Sequence, residues 1–147
     1  MPLLRDYIAE HERALNFGGE AVRSLDRGDV TAAREQLAGM AAELRIHWRG
    51  EENGLFAVMR RDDLYAEYID PLVTEHRDLD TLLATVDLAV EADQNRIRQA
   101  VAELFEHIAK EEDGLFPASL TALDGDDWDT AIAGWRDAHP GQSLLGG

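Results

Sequence analysis

The sequence twice places a glutamate four residues after a histidine, at His47 and Glu51 and again at His107 and Glu111. Both pairs sit inside one longer pattern. His47-Trp-Arg-Gly-Glu51-Glu52-Asn53-Gly54-Leu55-Phe56 returns 60 residues later as His107-Ile-Ala-Lys-Glu111-Glu112-Asp113-Gly114-Leu115-Phe116. A weaker echo, offset by 65, links Glu10-His11-Glu12-Arg13 to Glu75-His76-Arg77-Asp78. Imidazole and carboxylate together are ligands for iron, manganese or zinc. The chain has no cysteine, so zinc–thiolate sites, iron–sulfur clusters, disulfides and thiol nucleophiles are excluded. With 30 acidic residues in 147, a single His-x-x-x-Glu carries little weight. The force lies in the duplication.

The elements that must position these residues read as helices. Ala, Leu, Glu and Arg dominate, and Gly and Pro are sparse before the tail. We place helix A near 3–26, helix B near 30–60, helix C near 71–92 and helix D near 95–122. Arg27-Gly28-Asp29 separates A from B, with Asp29 capping B. The polar stretch from Glu91 to Asn95 separates C from D. Asp70-Pro71 reads as an N-cap with proline at the first helical position, which leaves 62–69 as a short helical lead-in; a longer helix kinked at Pro71 is the alternative. The inward stripe of A runs Leu4, Ile8, His11, Leu15, Gly18, Val22, Leu25, and that of C runs Ile69, Leu72, His76, Leu79, Leu83, Val86, Val90. On B it is Met40, Leu44, His47, Glu51, Leu55, Val58, and on D it is Ile97, Val101, Leu104, His107, Glu111, Leu115. Each apolar stripe is broken once, always by histidine, with glutamate beside it on B and D.

Two helical hairpins of this kind form an all-α, up-down-up-down antiparallel four-helix bundle. The heights agree. His11 and His47 have their midpoint at residue 29, in the A–B turn, and His76 and His107 have theirs between 91 and 92. The four histidines are therefore expected within about one helical turn, roughly 5 Å, of a common plane. A buried unpaired carboxylate costs several kcal/mol, and no inward Arg or Lys is available to Glu51 or Glu111. Two cations would neutralise both. Glu52 and Glu112 point about 100° away from their neighbours and read as supporting or surface groups.

A chain of this length fits one domain, 1–123, followed by a segment at 124–147. Asp124 to Asp127 can cap a short C-terminal helix carrying Trp128, Ile132 and Trp135 as a lid on the bundle. His139, beside Pro140, is expected outside the bundle, and the end from Pro140 onward is expected to fray. A formal net charge of −16 repels phosphate backbones and anionic lipid, so neither nucleic acid nor a membrane is expected as partner. No run approaches the roughly 20 apolar residues of a membrane span, and the first residues carry no export signal, so the expected location is cytoplasmic.

The order histidine, His-x-x-x-Glu, histidine, His-x-x-x-Glu resembles the hemerythrin-like family, or HHE cation-binding domain, over roughly residues 3–122. The resemblance implies a non-heme di-iron centre. His11, His47, His76 and His107 would be terminal ligands, Glu51 and Glu111 would bridge, and an oxo or hydroxo group would lie between the irons; zinc or manganese can substitute. Oxygen-carrying members have a fifth histidine four residues along helix C, where this chain holds Leu72 or Asp80, and an aspartate five residues after the last histidine, where Glu111 stands at four. The chain is closer to members linked to nitrosative and oxidative stress or to iron sensing. Water or Tyr7 is a candidate for the remaining coordination position. The implied ligand is a small diatomic or peroxide reaching an apolar pocket of Leu15, Leu44, Leu55, Leu79 and Leu104. Peroxide breakdown or nitric-oxide-related redox activity is one outcome, and an iron- or oxygen-sensing module without turnover is the other. No protein partner is implied.

Overall fold

The computed structural model describes residues 1–144. Long helices α1 (Pro2–Asp26), α2 (Val30–Glu52), α4 (Asp63–Thr85) and α5 (Glu91–Lys110) form the bundle; α3 (Leu55–Met59) follows α2, and α5 runs through a π-helical turn (Glu111–Leu115) into α6 (Phe116–Ala122). α1 packs on α2 and α5, and α4 packs on the same two, which closes the square. Short connections alternate the helix directions, giving the up-down-up-down bundle expected. Helix α7 (Gly125–Ala138) lies across α2 and α3.

The first turn is as read from sequence. Gly28 takes φ +77°, a left-handed conformation open to glycine, and the Asp29 side chain accepts from Ala32 N at 3.0 Å. The second half differs. Of the two readings at Pro71 the longer helix is found: α4 begins at Asp63, capped by Asp62, whose side chain accepts from Leu64 N at 2.9 Å. Pro71 lies inside the helix on its exposed side, where the carbonyl freed at Glu67 is also exposed. The turn to α5 is 86–90 and not Glu91–Asn95. Leu88 plugs the end of the core there, and Asp93 accepts from Asp87 N at 2.8 Å. Glu91 and Asp93 thus occupy the first turn of α5, where negative charge meets the positive end of the helix dipole. Val90, assigned to an inward stripe, is 45% exposed.

The core is in two parts. One apolar cluster holds Leu3, Tyr7, Phe56, Ile69, Leu72, Phe116 and both tryptophans of α7; the other holds Ala14, Leu25, Met40, Leu44, Ile97, Val101 and Leu104. Between them lie His11, His47, Glu51, His76, His107 and Glu111, all buried. Of the tail expected to fray, Leu144 packs against the first cluster, and 145–147 lie outside the described residues.

Helix α7 docks by close backbone approach. A Cβ on Gly134 would stand 2.2 Å from Asn53 O, and one on Gly54 would stand 2.4 Å from Gly50 O and 2.7 Å from Ala131 O. Neighbouring backbone cannot yield as a flexible side chain can. Gly134→Ala should therefore destabilise the fold by about 1–3 kcal/mol in urea unfolding. Gly125→Ala, with nothing within 4 Å of its added Cβ, should instead stabilise α7 by about 0.5–1 kcal/mol.

Candidate metal centre

Each functional side chain reaches the central layer by helical register. His and Glu four apart on α2, and again from α5 into the π-turn, share one face of their helix. His11 on α1 and His76 on α4 complete the ring. Glu51 and Glu111 are fully buried, and the four histidines are 2–5% exposed. The structure thus brings together all six residues singled out from the sequence.

Their atoms divide into two halves. Glu51 Oε2 lies 3.3 Å from His47 Nε2 and 3.8 Å from His11 Nε2, while its Oε1 lies 3.4 Å from His76 Nε2. Glu111 repeats this in reverse. Its Oε1 lies 3.5 Å from His11 Nε2, and its Oε2 lies 2.6 Å from His107 Nε2 and 3.8 Å from His76 Nε2. Each half therefore has two imidazole nitrogens and one oxygen from each glutamate. Ligand atoms of His11, His47, Glu51 and Glu111 all fall within 4.8 Å of one another, as do those of His76, His107 and Glu111.

The outer nitrogen of each ring is held by a further carboxylate. His11 Nδ1 donates to Glu112 Oε2 at 2.7 Å, and His47 Nδ1 to Glu10 Oε1 at 2.8 Å. His76 Nδ1 donates to Glu52 Oε2 at 2.9 Å, and His107 Nδ1 to Glu75 Oε2 at 3.1 Å. With the proton on Nδ1, every Nε2 turns a bare lone pair inward. Phe56 stacks on His76 at 5.8 Å between centroids and Phe116 on His11 at 6.0 Å, fixing the ring planes. Both phenylalanines follow their glutamates by five residues, past the break at Asn53-Gly54 and past the π-turn. The π-turn is a local widening of the kind that often marks functional positions.

The result is a dry layer of acceptors. His11 Nε2, His47 Nε2 and all four oxygens of Glu51 and Glu111 are buried without a hydrogen-bond partner, and His76 Nε2 faces His107 Nε2 at 3.0 Å. Lone pairs at that separation repel unless a proton or a cation lies between them. Without a cation, burial and then the charge of Glu111 drive the Glu51 carboxyl well above the usual carboxylate range. The donor set fits cations.

Tyr7 does not supply a ligand. Its hydroxyl donates to Gly50 O at 2.8 Å and accepts from Leu55 N at 3.4 Å, and burial followed by the charge of Glu51 raises its pKa, so it stays a neutral phenol. Of the leucines expected around a ligand pocket, Leu44 and Leu55 are core residues. Leu104, also a core residue, and half-buried Leu79 line a cleft of about 260 Å³ between α4 and α5, which also touches His76, His107 and Trp48.

Sequence reading left Glu52 and Glu112 undecided; both support histidines. It missed Glu10 and Glu75, although each stands directly before a histidine. Glu10 serves His47 rather than its neighbour, because a 100° step turns it toward the next helix. His139 was misplaced. It is 4% exposed, stacks on Trp135 at 4.0 Å and donates from Nδ1 to Trp135 O at 2.7 Å.

Fold and layer together define a helical bundle built to bind cations. The family model of the hemerythrin HHE cation binding domain matches residues 3–119, and the chain belongs to that family. No match was found among curated proteins or among solved structures.

The layer opposes folding when empty. Glu51→Leu should make the metal-free protein about 1–4 kcal/mol more stable in urea while abolishing metal binding, since an apolar side chain of similar size replaces a buried carboxylate. Equal or lower stability of that variant would show that the carboxylates are satisfied without metal.

Proposed function

We propose that the chain holds two iron ions: His11 and His47 would hold one and His76 and His107 the other, and Glu51 and Glu111 would serve both. The observation that carries this reading is the division of ligand atoms into two sides, each with two imidazole nitrogens and one oxygen from each glutamate, with six buried acceptors lacking partners. When bound, an iron pair supplies two redox electrons and a Lewis-acid position for a small ligand. The function is then reaction with O2, NO or peroxide in oxidative or nitrosative stress handling. Imidazole with carboxylate and no thiolate suits iron, and also manganese or zinc, on ligand type.

The protein's own residues hold the chemistry in place. Four glutamates fix the histidine tautomers, and two apolar clusters exclude water from either side. The cleft beside His76 and His107 supports approach from the α4–α5 side. Its wall is apolar at Trp48, Leu79, Leu82 and Leu104. Sensing without turnover would require a segment that responds to occupancy, and α7 is the candidate.

Metal analysis of protein grown with iron should give two irons per chain and a visible charge-transfer absorption that changes with peroxide. His47→Ala and His107→Ala should each lower the content toward one or none. Folded protein that stays empty after anaerobic iron addition would refute the proposal. Iron-loaded protein inert to peroxide, with α7 cleaved by protease only when iron is absent, would favour sensing over turnover.

A further inference from the structure

The two halves of the site are related by the internal repeat, and the surroundings of the outer carboxylates Glu10 and Glu75 break that relation. Glu10 and Glu75 are equivalent, offset by 65, and each holds the Nδ1 of a histidine on the neighbouring helix. Glu75 is 39% exposed at its side chain, and Lys110 Nζ donates to it at 3.1 Å. Glu10 is 3% exposed. Its second oxygen accepts from Trp135 Nε1 at 2.8 Å, and His139 Nε2 lies 3.4 Å from the same oxygen.

Trp135 comes from α7 and His139 from its C-terminal cap, both outside the repeat and with no counterpart beside Glu75 among the described residues. Helix α7 is held firmly enough to act at this point. Asp124 and Asp127 form a reciprocal cap at its start, and Gly134 sits against Asn53. An indole N–H with the ring buried at 2% exposure offers one rigid donor. It fixes the carboxylate plane of Glu10, and Glu10 in turn fixes the His47 ring. On the other side a solvated carboxylate shares its charge with a half-exposed lysine, so its pull on His107 is screened.

We infer that Trp135 is a positioning residue which, through Glu10 and His47, makes the His11–His47 half the tightly holding metal position and leaves the His76–His107 half, beside the cleft, the exchangeable one. This rests on the reading that the six residues hold a metal pair. Outer partners of metal-bound histidines are worth about 10–100-fold in metal affinity.

The test titrates the metal-free full-length chain anaerobically with cobalt(II) and reads its visible absorption, alongside urea unfolding of each metal-free variant. The parent should fill in two steps totalling two ions. Trp135→Phe, which keeps a ring and removes the donor, should weaken the tight step about 10–100-fold and leave the weak step unchanged. Glu10→Gln should do the same, and the double variant should lose little more, because the two act in series. Glu75→Gln should weaken only the other step. A parent that takes up no cobalt overturns the metal-pair reading and this inference with it. A parent that takes up two ions with one affinity overturns the inference alone. So do equal shifts of both steps in Trp135→Phe, or additive losses in the double variant.

Discussion

Everything in this bundle is arranged around a layer of acceptors with too few donors. Inward lone pairs on four imidazoles and four carboxylate oxygens meet in a buried layer, and among the described residues no buried lysine or arginine neutralises them. A polar layer of this kind is tolerated only if something cationic completes it. That constraint accounts for features that would otherwise look unrelated. The core is divided because apolar side chains can pack above and below the layer but not through it. Four further glutamates surround it because each ring must present the nitrogen without a proton. The phenylalanines stack on two of the rings because an imidazole free to tilt would carry its lone pair out of reach.

Duplication explains how one chain builds such a layer from simple parts. Each hairpin brings one histidine on its first helix and a histidine–glutamate pair on its second. Each hairpin also supplies the outer carboxylate and the stacking ring for the other's first histidine, Glu52 and Phe56 for His76, Glu112 and Phe116 for His11. Neither half of the site is complete on one hairpin. Both second helices also deform directly after their inward glutamate, one by breaking at Gly54 and one by a π-turn. Glycine is required at Gly54, where an added Cβ would meet backbone. A Cβ on Gly114 would meet the Tyr68 hydroxyl at 2.6 Å, while that hydroxyl donates to Lys110 O.

The six inward residues were legible because helical periodicity is strong where a face is fully buried. The stripes of α2 and α5 are buried at every position read from sequence. Those of α1 and α4 were less sharp. On α1 the deepest positions are Leu3, Tyr7, Ala14, Ala21 and Ser24, with Ile8, Leu15 and Val22 at the flanks, since alanine and serine carry little hydrophobic signal. Boundaries were misread where two punctuation signals competed. Asp62 and Asp70 are both good caps, and only packing decides that α4 starts at the first. The role of α7 was not legible, because a tryptophan on an amphipathic helix reads as packing whether or not its N–H has a partner. A separation of 125 positions between Glu10 and Trp135 leaves no local pattern to join them.

In a site that holds the proposed metal pair, charge would add a selectivity that the ligand atoms alone do not. The formal net charge is −16, and the cleft beside His76 and His107 is rimmed by Glu75, Asp78 and Glu103 against Arg96 alone. A field of this sign raises the local concentration of cations and lowers that of anions. Under the metal-pair reading, loading is assisted by the same acidity that keeps anionic oxidants away. Neutral O2, NO and hydrogen peroxide cross such a rim without electrostatic penalty, whereas superoxide or nitrite must climb it. Glu51 and Glu111 would not provide this discrimination, because bound cations would cancel their charge. It has to come from carboxylates that bind no metal, and those at the cleft rim lie where a ligand would pass.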